Sequence, residues 1–213
     1  NREAAEQLLE TLPGKGHFLV QADLSETTQI DLLKDQLFEK WEKLDILVNN
    51  AGVYLPHPMH KMNDEDWWNA WRLTMDVNLN HPALLIKKLL PLLQTTGNSR
   101  IINISSRGAY RGEPGHVAYG AAKAGLNALS QSLAQELASV PIYVYAVAPG
   151  FVRTGMTEQI LDGPKGASIL QQSPLERAAY SSEIAHAVCM LCSEKANYMT
   201  GAVIDVNGAS YLR

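Results

Sequence analysis

Apolar residues recur every three or four positions at the start of the chain. Ala5, Leu8, Leu9 and Leu12 share one face of the segment Arg2 to Leu12, with glutamates elsewhere, which predicts an amphipathic helix ended by Pro13-Gly14-Lys15-Gly16. The period then changes. His17-Phe18-Leu19-Val20-Gln21-Ala22 reads as a short buried strand, and after Asp23 a helix is expected from Ser25 to about Trp41. Ile46-Leu47-Val48 is the next strand. A helix follows from near Asn63, where Asn63 and Asp66 resemble a capping box, and runs with a break to about Leu93. Beyond it come a strand at Ile101 to Ile104, a long helix from about Ala118 to Ala138 and a strand at Ile142 to Ala148. A helix at Ser181 to Leu191 and a strand at Ala202 to Val206 close the series. Strands alternating with helices of this length predict an α/β fold, with a parallel sheet covered on both faces.

The least regular stretch is 154–180, with Gly155, Gly163, Pro164, Gly166 and Pro174 between a strand and a late helix. A loop of that length is read as a mobile substrate lid; the plainer alternative is a connection with no role. Composition narrows the picture further. With 213 residues, 46% of them apolar, the chain suits one globular domain, and a net charge of -4 gives no electrostatic case for nucleic acid or an anionic membrane as partner. No apolar run reaches the roughly 20 residues that span a bilayer, and Arg2-Glu3-Ala4-Ala5-Glu6 is unlike a signal peptide, so a cytoplasmic location is expected.

Cys189 and Cys192 have C-x-x-C spacing but lie in a run of helical period, so both are read as small core residues rather than a redox pair or half of a zinc site. His57 and His60 lie in the proline-broken segment Leu55-Pro56-His57-Pro58-Met59-His60, without acidic or cysteine partners at metal spacing. They are read as residues of a solvated loop, and no metal is expected.

Ligands of open α/β sheets bind beyond the carboxyl ends of the strands. The polar candidates fall at such ends: Asp23, then Asn49-Asn50-Ala51-Gly52, then Ser105-Ser106, then Pro149-Gly150. Tyr119 and Lys123 form Y-x-x-x-K at the start of a helix, one turn apart on one face. The pairing has a chemical use. A free phenol has a pKa of about 10, and a nearby ammonium favours its ionised form. Such a pair occurs by chance on many helices, but here Ser106 stands thirteen residues before Tyr119 at a strand end.

In this combination the chain resembles the short-chain dehydrogenase/reductase family over nearly its whole length, and is closest to members similar to 3-oxoacyl-carrier-protein reductases. The resemblance implies a Rossmann-type doubly wound, three-layer single domain over residues 1–213, and hydride transfer between NAD or NADP and a carbonyl or alcohol substrate. Tyr119 would be the acid/base, Lys123 would lower its pKa and bond the nicotinamide ribose, and Ser106 would hold the substrate oxygen. Asn78, in Asp76-Val77-Asn78-Leu79-Asn80, matches a helix-interrupting asparagine whose carbonyl holds a water linking the lysine to solvent; alone, it would be an ordinary polar helix residue bonded to nearby backbone. Asp23 would bond the adenine amino group, although a helix-flanking cap is the commoner reading of such a residue. Asn50, Ala51 and Gly52 would pass beside the adenosine ribose. Pro149, Gly150, Val152 and Thr154 would grip the nicotinamide carboxamide, through the Val152 backbone and the Thr154 hydroxyl.

One part of the family pattern does not occur. No G-x-x-x-G-x-G or G-x-G-x-x-G precedes Asp23, so the glycine-rich turn that receives a pyrophosphate is missing, together with its βαβ unit. The expectation is that an N-terminal portion precedes the given residues; a true truncation would instead make a catalytically silent subunit or interaction module. The resemblance also implies a homo-oligomer, a dimer or tetramer, formed by the helices around Asn78 to Leu93 and Ala118 to Ala138. Arg2 could approach a 2′-phosphate, which gives a slight lean to NADP. The same tyrosine and lysine could also serve an epimerase or dehydratase, which would show no net cofactor turnover.

Overall fold

The computed structural model describes residues 2–155 and 157–213; Asn1 and Met156, the latter inside the expected lid, lie outside the described residues. Four strands form one parallel sheet in the order β1 (Ile46–Asn49), β2 (Ser99–Ile104), β3 (Ile142–Pro149) and β4 (Val203–Val206). Before and between them run α1 (Arg2–Thr11), α2 (Thr27–Lys40), α3 (Asp64–Met75), α4 (His81–Thr96), α5 (Gly108–Arg111) and α6 (Val117–Glu136). After β3 come α7 (Glu158–Leu161), α8 (Gly166–Leu170) and α9 (Ser181–Leu191), and a 3-10 turn, Glu194–Met199, leads into β4.

The sheet is covered on both faces because adjacent strand residues point to opposite sides. Ile101, Ile142 and Val144 pack with Ile30 of α2 and with Leu89 and Leu93 of α4. Ile102, Tyr145 and Val147, of opposite parity along the same strands, pack the other way, with Leu191 of α9 and Ala196. The result is the expected three-layer α/β arrangement. A polar chain crosses it: Asn49 Nδ2 donates to Asn103 Oδ1 at 2.8 Å, Asn103 Nδ2 to Ser130 Oγ at 2.9 Å, and the Ser130 hydroxyl to Leu126 O at 2.7 Å.

Local signals act as the sequence suggests at most boundaries. Asn63 caps α3, accepting from the Asp66 amide at 2.9 Å, and its Nδ2 donates to the Asp66 carboxylate at 2.7 Å, a side-chain bond in place of the return to backbone that a capping box makes. The expected break in the helix that follows is a π-helical turn, Asp76–Asn80, joining α3 to α4. Gly97 ends α4 in the left-handed conformation, with φ of 67°.

Three expectations are corrected. Residues 17–22 form no strand, because nothing among the described residues offers them a ladder, and an extended segment becomes a strand only by pairing. Cys189 is exposed and Cys192 partly so, since α9 turns Ala187 and Leu191 inward and residue 189 falls on the outward side. His57 is fully buried, whereas His60 stays exposed. The proline-broken segment folds back on the start of α6, where the His57 amide donates to Gly115 O at 2.7 Å. Among the described residues no helix is long and apolar enough to cross a membrane.

Candidate active site

The carboxyl ends of β1, β2 and β3 open on one cavity of about 200 Å³. Asn50, Gly52, Ser106, Tyr119, Lys123, Pro149, Gly150, Val152 and Thr154 all line it. Asp23, Ala51 and Asn78 do not.

Asp23 is exposed, and its carboxylate accepts from the Ser25 amide at 2.8 Å and the Ser25 hydroxyl at 2.7 Å. These bonds hold its pKa below the usual carboxylate range, and they make Asp23 the closure of a turn before α2. Asn78 is fully buried in the π-helical turn; its side chain grips the Val53 backbone, donating to the carbonyl at 2.9 Å and accepting from the amide at 3.0 Å. That grip explains Gly52. A Cβ there would lie 2.8 Å from Asn78 Oδ1 and 3.6 Å from Lys123 Nζ, so only glycine lets the β1 loop pass this close.

The two serines at the end of β2 separate by role. The Ser105 hydroxyl is buried and donates to Lys123 O at 3.2 Å, tying the strand to α6. Ser106 lines the cleft together with Tyr119, and its Oγ accepts from the Gly108 amide at 3.0 Å. Lys123, 4% exposed, donates to Ile104 O at 2.8 Å, with its ammonium 5.7 Å from the centre of the Tyr119 ring.

Burial governs both titrations. It raises the Tyr119 pKa above its ordinary value; the nearby Ser106 hydroxyl works against this and Glu113 adds to it. Burial also lowers the Lys123 ammonium to about 8. The expected depression of the phenol by the lysine is therefore not the dominant influence on Tyr119 in the free protein.

The segment after β3 is held by backbone contacts rather than left loose. Val152 bridges Ala179, with Ala179 N donating to Phe151 O at 2.8 Å and Arg153 N to Ala179 O at 2.9 Å. The Thr157 hydroxyl donates to Val152 O, and Thr154 N donates to Thr157 Oγ at 3.1 Å. Gly150 packs so closely that a Cβ would lie 3.0 Å from Asn207 Cα. The expected lid contains α7 and α8, which meet where a Cβ on Gly166 would lie 1.7 Å from Leu161 O.

Four lining or flanking side chains escaped the sequence reading. Tyr54 stacks on His116 with ring centres 3.8 Å apart and meets the Tyr119 ring edge-on at 4.9 Å. Tyr54 Oη donates to Glu113 Oε2 at 3.5 Å, and Arg107 lies over the Phe151 ring at 4.8 Å. Position alone could have found three of them, since Arg107, Glu113 and His116 fall between Ser106 and Tyr119.

His57 connects this wall to α6. Its Nε2 accepts from the Ala118 amide at 3.0 Å, one residue before Tyr119, and its Nδ1 bonds Leu55 O at 2.8 Å, which requires the tautomer protonated at Nδ1. Replacing His57 by Ala leaves a buried amide without a partner and is expected to cost about 1–3 kcal/mol. A lower urea midpoint with an unchanged slope is the reading that supports it; an unchanged midpoint refutes it.

Comparison with known proteins places these residues in context. The family model described as enoyl-(acyl carrier protein) reductase matches residues 1–209. The chain is 36% identical over 214 residues to the 3-oxoacyl-(acyl-carrier-protein) reductase FabG of Staphylococcus aureus, covering 100% of the chain and 85% of that protein. It is 39% identical over 212 residues to the FabG of Haemophilus influenzae, again covering 100% of the chain and 85% of the relative. Among solved structures, a short-chain dehydrogenase/reductase from Brucella melitensis superposes with a TM-score of 0.87 at 32% identity, covering 100% of this chain and 84% of that one. A 4-hydroxyisoleucine dehydrogenase complexed with NADH gives 0.81 at 30% identity, covering 89% and 77%.

Proposed function

The chain belongs to the short-chain dehydrogenase/reductase family, and from that premise we propose that Tyr119 exchanges the proton of the reaction, with Ser106 and Lys123 as its partners. The protein is an oxidoreductase acting between a nicotinamide cofactor and a carbonyl or alcohol substrate. The observation that carries the assignment is the convergence of Ser106 and Tyr119 on one cleft that also holds a buried ammonium, Lys123 Nζ, 5.7 Å from the centre of the Tyr119 ring.

The residues present fit the nicotinamide end of such a cofactor. An ammonium has three donors, and among the described residues Lys123 makes one side-chain hydrogen bond, to Ile104 O, so donors remain for ribose hydroxyls. Val152 and Thr154 line the cleft where a carboxamide would be held. When bound, the cofactor supplies or accepts the hydride. In the reducing direction the Tyr119 hydroxyl gives its proton to the substrate oxygen as negative charge develops there, and the Ser106 hydroxyl donates to the same oxygen without changing charge. The phenolate left on Tyr119 is stabilised by Lys123, which is mostly protonated near pH 7 because its pKa is about 8. Asn78 acts by position, fixing the backbone at Val53 and so the wall beside Lys123.

Residues 154–180 serve as the substrate lid, supported by the cleft-lining Thr157 and Ile160. Two or four copies associate through α4 and α6, supported by Trp68 and Leu73 on the neighbouring α3, which are 52% and 37% exposed. A cytoplasmic location fits a chain whose described helices do not cross a membrane. The preference for NADP over NAD rests on Arg2 alone; its guanidinium already bonds Glu6 Oε1 at 2.7 Å, so the preference is expected to be slight.

Titration of the full chain with NADH and NADPH, followed by nicotinamide fluorescence, tests the reading together with a panel of ketones, 3-oxoacyl thioesters and sugars. Deuterium carried from C4 of the labelled cofactor into the product carbinol is the expected result. Absence of cofactor binding would favour the silent-module alternative, and turnover without label transfer would favour an epimerase or dehydratase.

A further inference from the structure

Beside the cleft, two guanidinium groups converge on one uncharged oxygen. Arg107 directly follows Ser106, lines the cleft and is 4% exposed. Its Nη2 donates to Gln172 Oε1 at 2.6 Å. Arg111, one helical turn later and exposed, donates from Nη1 to the same oxygen at 3.0 Å. Among the described residues neither arginine forms an ion pair. Glu113 is the acid that Arg107 senses, but its carboxylate is engaged by Tyr54.

Buried cations are normally paired, and two like charges sharing one amide oxygen repel each other. Each pulls on the same neutral acceptor. The planar fork of arginine matches the oxygens of a carboxylate or phosphate far better than a single carboxamide. Arg107 also lines a second cavity of about 370 Å³, bounded by the lid and the C-terminal residues, so it stands where a substrate reaching beyond Tyr119 would pass.

We infer that Arg107 and Arg111 form an anion subsite for the substrate: the carbonyl or alcohol compound carries a carboxylate or phosphate, which replaces the Gln172 oxygen between the two guanidinium groups. The inference rests on the Ser106–Tyr119 cleft being the site of reaction. It adds a substrate class to that reading. Of the charged residues that line the cleft, Arg107 and Lys123 stand against Glu113.

The test compares three probes on the full chain: 3-hydroxyhexanoate, its methyl ester, and 3-hydroxybutyl phosphate. Calorimetry gives the dissociation constants, and cofactor reduction gives kcat/KM. The carboxylate or the phosphate is expected to bind at least tenfold more tightly than the ester, and whichever is preferred identifies the anion. In Arg111→Gln the preference should fall at least fivefold; because Arg111 is exposed, this variant remains informative if Arg107→Gln does not fold. Equal binding of charged and neutral probes, binding of none, or a preference that survives Arg111→Gln would each overturn the subsite, leaving the two arginines as a latch on the lid. The two readings fail separately. Turnover of acid and ester at equal kcat/KM removes the subsite alone, whereas a tenfold preference in binding without turnover by either cofactor removes the hydride chemistry and keeps the subsite.

Discussion

Replacement of Tyr119 by Phe is expected to reduce kcat by about 10²–10⁴-fold, the range that a positioned general acid contributes. The ring stays, so its edge contact with Tyr54 persists and the cleft keeps its shape. What is lost is one O–H, the group that shares the cleft with Ser106 and would carry the proton. Cofactor affinity should change little, and stability by no more than about 1 kcal/mol, the net worth of a typical hydrogen bond. Single-turnover rates with the cofactor dissociation constant measured in parallel separate chemistry from binding. Full activity in this variant would remove Tyr119 from the mechanism.

Replacement of Lys123 by Met should abolish activity and yet stabilise the free protein. Burial lowers the folded-state pKa of Lys123 to about 8, against 10.5 for the exposed group. Between those values the unfolded chain binds the proton more tightly, so stability rises with pH across that window and is reduced by the full amount below pH 8. At about 1.4 kcal/mol per pKa unit the charge costs about 3 kcal/mol near neutrality. Methionine fills similar space without charge, but leaves Ile104 O without its lysine donor. The net gain at pH 7 is therefore expected to be about 1–3 kcal/mol, or several degrees in melting temperature for a chain of this length. It should shrink as pH rises from 8 towards 10.5. A variant less stable than wild type at pH 7, or a gain that ignores pH, contradicts this account.

The parts of the molecule that could be read from sequence are those set by short-range geometry. Tyr119 and Lys123 share a face because an α-helix brings residues four apart into register, and no tertiary information is needed for that. Asn63 caps α3 and Gly97 ends α4 by similarly local rules. The cleft residues after β1, β2 and β3 were legible because the sheet is parallel, which places those strand ends on one side. Failures came where distant segments decide. Residues 17–22 have strand composition but no ladder, and Asp23 after them closes a turn before α2. His57 has the sequence surroundings of a solvated loop, and only the fold-back onto Gly115 and Ala118 buries it. Cys189 follows the helical period of α9 but lies on its outward side, a matter of rotation that two cysteines cannot define. Tyr54, Glu113 and Arg107 carry no motif; their importance comes from converging on one cleft.

The polar chain from Asn49 through Asn103 to Ser130 also sets the height at which the site is built. Sliding β1 against β2 by two residues would keep apolar side chains on the correct faces, so hydrophobic burial alone discriminates weakly against that misalignment. It would, however, part Asn49 Nδ2 from Asn103 Oδ1 and leave the buried Asn103 oxygen unmatched, at about 1–3 kcal/mol, while the bonds from Asn103 to Ser130 and from Ser130 to Leu126 O stay intact. The Asn49–Asn103 pair therefore behaves as a ruler, holding the tip of β1 level with the tip of β2, so that Gly52 arrives beside Lys123 rather than one step above or below it.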